Sequence, residues 1–319
     1  MIPKSSSFPD LGKCKFQMFK YFRKIRQTKP ALFGVLIALF GVLVLTPDTL
    51  VIRLSELERW PLLCWRGILM GTVLLLGWRL FFSQNPSSEW RSLASWQGLV
   101  VIIAFSMNSV TFTIGIVETS ATVVLTAVAT MPVFAAALSF LMLGERQGWL
   151  GWLTITAAMG GVGMVVLDGN NAINIPDGSV VIGAVFGVLT AIGLALTFTM
   201  ARKYSKLAIV PAAALGALIS GIIGFSLSDI YSIINGPLLP ILIMGIVILP
   251  LSFACLAVAP RYTSSAIVSL LMLLEMVLGP LWVWLGVGEQ PTLLMISGAG
   301  FVAVVLGLHI LRTQRPSQV

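Results

Sequence analysis

Apolar residues in this chain gather into long unbroken runs, without the alternation of a half-buried strand or the one-sided stripe of a surface helix. Ten runs can be marked, over roughly residues 31–52, 61–82, 96–116, 119–143, 149–167, 179–200, 211–234, 238–259, 263–286 and 292–311. Each is close to the ~20 residues an α-helix needs to cross the hydrocarbon of a bilayer. Polar or turn-rich segments separate them, among them SELERWP (55–61), SQNPSSEWRS (83–92) and DGNNAINIPDG (168–178). The pattern predicts an all-α membrane protein with ten transmembrane helices.

Composition removes the alternatives. Of 319 residues, 57% are apolar and 10% are Asp, Glu, Lys or Arg, against about 25% charged in an ordinary soluble domain. The formal net charge of +8 would suit a nucleic-acid partner if it formed one surface, but it does not. Lys4, Lys13, Lys15, Lys20, Arg23, Lys24, Arg26 and Lys29 crowd the first 29 positions. If the loops alternate sides from there, Arg79, Arg91, Arg146, Arg202, Lys203, Lys206, Arg261, Arg312 and Arg315 join them. Only Arg53, Arg59 and Arg66 fall opposite. Cations concentrate on the cytoplasmic side of membrane proteins, so both termini are expected in the cytoplasm. The tail segment KCKFQMFKYFRKIR (13–26) mixes cations with aromatic rings, which suits an anionic lipid surface or a plain positive anchor. Cys14, Cys64 and Cys255 lie too far apart in sequence for a CxxC site, and they give no disulfide framework. No cofactor, metal or nucleic-acid partner is expected; the partners are a small-molecule substrate and membrane lipids, with protons as a candidate second ligand.

Self-comparison adds an internal repeat. A shift of 144 positions over residues 119–163 lays Thr119-Ser120 on Thr263-Ser264, Gly144-Glu145 on Gly288-Glu289 and Gly163 on Gly307. A shift of 150 pairs Pro61 with Pro211 and Gly71 with Gly221. Helix four then corresponds to helix nine and helix two to helix seven. With five helices per half, equivalent helices run in opposite directions. That is an inverted repeat, the architecture of secondary transporters that bind substrate at the repeat interface. The expected organisation is a basic tail (1–30), a first five-helix repeat (31–167), an extracytoplasmic linker (168–178), a second repeat (179–311) and a short cytoplasmic tail (312–319).

Three segments carry a family resemblance: Trp65-Arg66-Gly67, TSATVVLTAVATMPVFAAALSFLMLGER (119–146) and its partner TSSAIVSLLMLLEMVLGPLWVWLGVGE (263–289). On these the chain resembles the EamA-type proteins of the drug/metabolite transporter superfamily. The resemblance implies ten helices in two repeats and export of small molecules across the bacterial inner membrane. One departure concerns helix nine, where family members often have Pro directly after the Glu. Here Met276 follows Glu275, and Pro280 comes a turn later.

Glu275 stands out among the candidates. It lies midway along an apolar helix, where a charge costs about 2.5–3.5 kcal/mol on insertion scales, so such acids are functional by default. Glu275, Gly279, Trp282 and Gly286 share one helical face, offering a carboxylate, room and an aromatic wall. The alternative is a neutral acid bonding between helices for packing. Arg66, a turn into helix two, either faces Glu275 or an anionic substrate group, or snorkels to outer headgroups. Asn108, mid-helix three, is a cavity donor or a packing amide. The substrate- or proton-binding set is therefore Glu275, Trp282, Arg66 and Asn108. Thr46-Pro47-Asp48 is read as the end of helix one, and Pro132, Pro250 and Pro280 as kink positions. His309 is read as solvated, and Gly144-Glu145-Arg146 and Gly288-Glu289 as helix-end punctuation.

Other classes lack their chemistry. One histidine excludes HExxH, and neither a GxSxG elbow nor a GxxxxGK[ST] loop occurs. Glu275 is the only acid read as deep, so an intramembrane aspartyl dyad is not expected. The reading is a secondary transporter, an exporter of metabolites or drugs by alternating access, and not an enzyme. The alternative is a non-transporting membrane sensor or scaffold that binds a small ligand.

Overall fold

The computed structural model describes residues 27–83, 86–118, 121–146, 148–157, 159–160, 180–234 and 236–287, with seven positions between 293 and 308. The tail before residue 27, Thr119-Ser120, the 168–178 linker, Gly288-Glu289 and His309 lie outside the described residues. Among the described residues the structure is helical, with no strand.

Helix α1 (Pro30–Leu45) opens with proline in its first turn, where the missing N–H would have had no partner. It does not simply end at Thr46-Pro47 as the sequence reading supposed. The chain makes one turn and resumes as α2 (Asp48–Ser55), which stops at Glu56 in the left-handed region (φ 49°). Pro47 has no N–H for the carbonyl a turn back, and Thr46 Oγ1 donates to Leu43 O at 2.9 Å, holding the bend. Helix α3 (Arg59–Gly77) widens into a π-helical turn at Trp78–Phe82.

The segment expected as a plain loop contains α4 (Pro86–Leu93). Pro86 at its start, Glu89 in its first turn and Arg91 in its last suit a short helix. After α5 (Trp96–Glu118), the fourth apolar run is two helices, α6 (Ala121–Val128) and α7 (Met131–Leu143), broken at Ala129-Thr130 just before Pro132. Gly144, at φ 70°, closes α7 in a conformation that glycine adopts freely. Positions 149–157 and 159–160 are helical too.

Helix α8 (Val180–Lys203) precedes α9 (Ile209–Leu227). The run expected to reach residue 234 stops at Ser228-Asp229, where polar residues intervene, and α10 (Ile230–Ile234) follows separately. Next come α11 (Leu238–Leu242), a π-helical stretch Ile243–Ile248, α12 (Leu249–Val258) and a 3₁₀ turn Ala259–Arg261. Pro250 sits just after the π-helical stretch, as Pro132 sits just after the break in the fourth run. Helix α13 (Ser265–Val287), by contrast, runs as one α-helix through Pro280.

Among the described residues, seven helical stretches are long and apolar enough to cross a membrane: Pro30–Ser55, Arg59–Leu80, Trp96–Glu118, Val181–Lys203, Ile209–Leu227, Leu238–Arg261 and Ser265–Gly286. Met131–Leu143 is apolar but shorter. A multi-pass membrane protein follows.

The most extensive helix pair is α3 with α9. A Cβ added at Gly67 would lie 2.3 Å from the backbone N of Gly221, and one added at Gly221 would lie 2.6 Å from the N of Ile68. The two backbones touch there, which only side-chain-free positions permit. Helix α1 packs on α12 and α13, while α8 packs on α5, α6 and α7. Helix α13 also meets α7, where Ser139 and Ser265 hydroxyls are 2.5 Å apart.

Candidate functional site

Breaking helix one at Pro47 has a chemical consequence. Asp48 begins α2, where the helix dipole favours an acid, and its side chain turns inward to 1% exposure. Arg66, on the buried side of α3, is 6% exposed and faces it. Nη1 of Arg66 lies 2.9 Å from both Asp48 Oδ1 and Oδ2. The same nitrogen is 3.2 Å from Met244 Sδ, and the guanidinium sits 5.6 Å from the centre of the Phe112 ring. Arg66 therefore does not snorkel to headgroups. It is fixed in the interior by a carboxylate, a thioether and an aromatic face.

This pair opens onto a cavity that Asn108 and Glu275 also line, together with Met70, Phe105, Phe112, Phe253 and Met272. About 40 Å³ is open to the centres of water molecules, room for about three waters at the roughly 10–15 Å³ each needs. Glu275 and Asn108 are 6% and 5% exposed. The Phe105 and Phe253 rings meet edge-on, 5.2 Å between centres. Thus three of the four expected site residues, Arg66, Asn108 and Glu275, come together on helices α3, α5 and α13.

Trp282 takes another position. Its ring N–H donates to Thr46 Oγ1 at 2.9 Å, tying α13 to the joint between α1 and α2, outside the cavity lining. The room expected along the Glu275 face is also occupied. A Cβ at Gly279 would meet Thr49 Oγ1 at 3.1 Å, and one at Gly286 would meet Leu50 at 2.6 Å. These glycines let α2 pack closely instead of leaving space for a ligand.

Asp48 is what the sequence reading placed wrongly. The sequence places it at the end of helix one and leaves Glu275 as the only deep acid, whereas two acids border one cavity. The available signal was an acid directly after a proline inside an apolar run, with an opposite charge in the next helix. Among the described residues no group of three or more His, Cys, Asp or Glu could hold a metal ion.

Polar contacts also mark the two ends of the bundle. Arg59, at the start of α3, pairs with Glu118, at the end of α5. At the opposite end Arg202 Nε reaches Glu145 Oε1 at 3.3 Å and Nη1 reaches Arg261 O at 3.4 Å, while Arg261 donates to Leu207 O. Glu145 is thus more than helix-end punctuation: it ties α7 to α8.

Comparison with known proteins agrees with this architecture. Residues 32–167 match the EamA-like transporter family. No curated protein matches the chain. A solved crystal structure of a protein aligns with 89% of this chain and 99% of its own, with a TM-score of 0.69 and 13% identity. At that identity the likeness concerns the fold alone.

Proposed function

We propose, from the EamA-like match over residues 32–167, that this membrane transporter exports small metabolites or drugs by alternating access. Its ten helices form two inverted five-helix repeats, residues 31–167 and 179–311, joined by the linker at 168–178 and flanked by cytoplasmic tails in the bacterial inner membrane. Packing supports the repeat. The 150-position shift places Gly67 on Ala217, Ile68 on Leu218 and Gly71 on Gly221, and these same residues meet across the α3–α9 crossing. Exchanging the halves turns the packing of helix one on helices eight and nine into that of helix six on helices three and four, and both sets of contacts occur.

The observation that carries the reading is the cavity itself. It lies between helices of both halves, with Arg66 and Asn108 on one side and Met272 and Glu275 on the other. A site at a repeat interface is exposed alternately when the halves rock. Glu275 binds substrate or proton there, and the 40 Å³ space is a narrow state that widens on loading. Bound protons and coupling to a pH gradient belong to this proposal.

Uptake into inside-out vesicles, screened over metabolites with and without a pH gradient, tests it. Accumulation of a substrate that disappears in Glu275→Gln and Glu275→Ala is expected. Unchanged transport in both variants overturns the role of Glu275. Binding of a ligand with no counterflow in proteoliposomes favours a sensor.

A further inference from the structure

A charge held away from water is costly unless a partner or ligand answers it. Among the described residues, the charged groups lining the cavity are Asp48, Arg66 and Glu275. Two of these answer each other through the 2.9 Å contacts of Arg66 Nη1 with both Asp48 oxygens. Glu275 is different. It is 6% exposed and lines the cavity, yet has no hydrogen-bond or ion-pair contact among the described residues. As a carboxylate it leaves the site one negative charge in excess.

Resting on the carrier reading above, we infer that the cavity takes small amines in their ammonium form, monovalent cations on an apolar, ring-bearing body. The ammonium sits at Glu275. The body lies among Phe105, Phe253, Met70 and Met272, where aromatic faces and thioethers suit a ring and a nearby cation. Polyols and nucleotides are refused, because few lining groups replace the water they would shed. Asn108 and Ser109 supply polar groups, and the Ser109 hydroxyl already accepts from Ser220 at 2.9 Å. Carboxylates are refused too: they bring a second negative charge towards Glu275, and the one cation available to them is engaged with Asp48. A zwitterion enters only by taking Arg66 from Asp48, so an amino acid ranks below the corresponding amine.

A series with one body and different head groups tests this on the full-length protein. Phenethylamine, phenethyl alcohol, hydrocinnamate and phenylalanine are compared by competition binding in detergent and by counterflow in proteoliposomes. The amine is expected to bind at least about tenfold more tightly than the other three, the scale of one charge-assisted contact. Glu275→Gln should abolish that preference and Glu275→Asp should keep part of it. If Glu275→Gln does not fold, the wild-type series still decides. Equal binding of the four, preference for the carboxylate or alcohol, or no binding of any overturns the inference. Amine binding without counterflow leaves the specificity standing and removes the carrier reading; counterflow of hydrocinnamate but not the amine does the reverse.

Discussion

Arginine meets a carboxylate in the cavity wall and again at each end of the bundle, and the three places differ in almost everything but chemistry. The side chains of Arg66 and Asp48 are 7% and 1% exposed, those of Arg202 and Glu145 are 30% and 31%, and those of Arg59 and Glu118 are 41% and 40%. Near water an ion pair gains little over the hydrated ions, typically about 0–1 kcal/mol. In the interior the pair is no great stabiliser either, but losing one partner strands the other. The same bond is therefore a weak clasp at the ends and a strict requirement in the centre. Glu275 sits beside the strict pair with no hydrogen bond or ion pair of its own among the described residues, which is why the proposed ligand is assigned to it.

Breaking the central pair should have the largest effect. Arg66→Ala leaves Asp48 buried and uncompensated and is expected to destabilise the protein by about 3–5 kcal/mol, read as a fall in thermal unfolding temperature in detergent. Removing both charges in Asp48→Asn/Arg66→Met should recover most of that loss, and no recovery would show that the pair is not what fails. Next comes Glu275→Gln, expected to lower transport by at least about tenfold, or ~1.4 kcal/mol, while the unfolding temperature stays near wild type. Trp282→Phe keeps an aromatic side chain but loses the five-membered ring with the N–H donated to Thr46; a cost of about 1 kcal/mol in stability from the lost hydrogen bond is expected. Arg202→Ala should cost about 1 kcal/mol or less, and Arg59→Ala should be close to neutral. A loss at Arg59 as large as that at Arg66 would erase the distinction between ends and centre.

Much of this was legible in the chain before its structure. Seven of the ten apolar runs are membrane-length helices among the described residues, because a bilayer demands length and uniform hydrophobicity and little else. Glu275 was legible for the same reason, since an acid amid Leu270–Leu274 and Val277 is conspicuous by its cost. Arg66 was found but not placed, because sequence position along a helix does not say which way a long side chain turns. Asp48 is hard to place because a proline reads as a terminus, and it is the packing of α2 against α11 and α13 that shows the helix resuming inward. Gly279 and Gly286 misled for another reason: a missing side chain leaves a gap or admits a neighbour, and here Thr49 and Leu50 arrive.

The crossing of α3 over α9 has one more consequence. Interlocking ridges of side chains ordinarily set the angle between two helices, and at Gly67 and Gly221 there are no ridges to interlock. Two backbones in direct contact leave no slack at this point, and of the two helices it is α3 that reaches the cavity, through Arg66 and Met70. A bulky graft at either glycine would prise the two helices apart, although neither position lines the cavity.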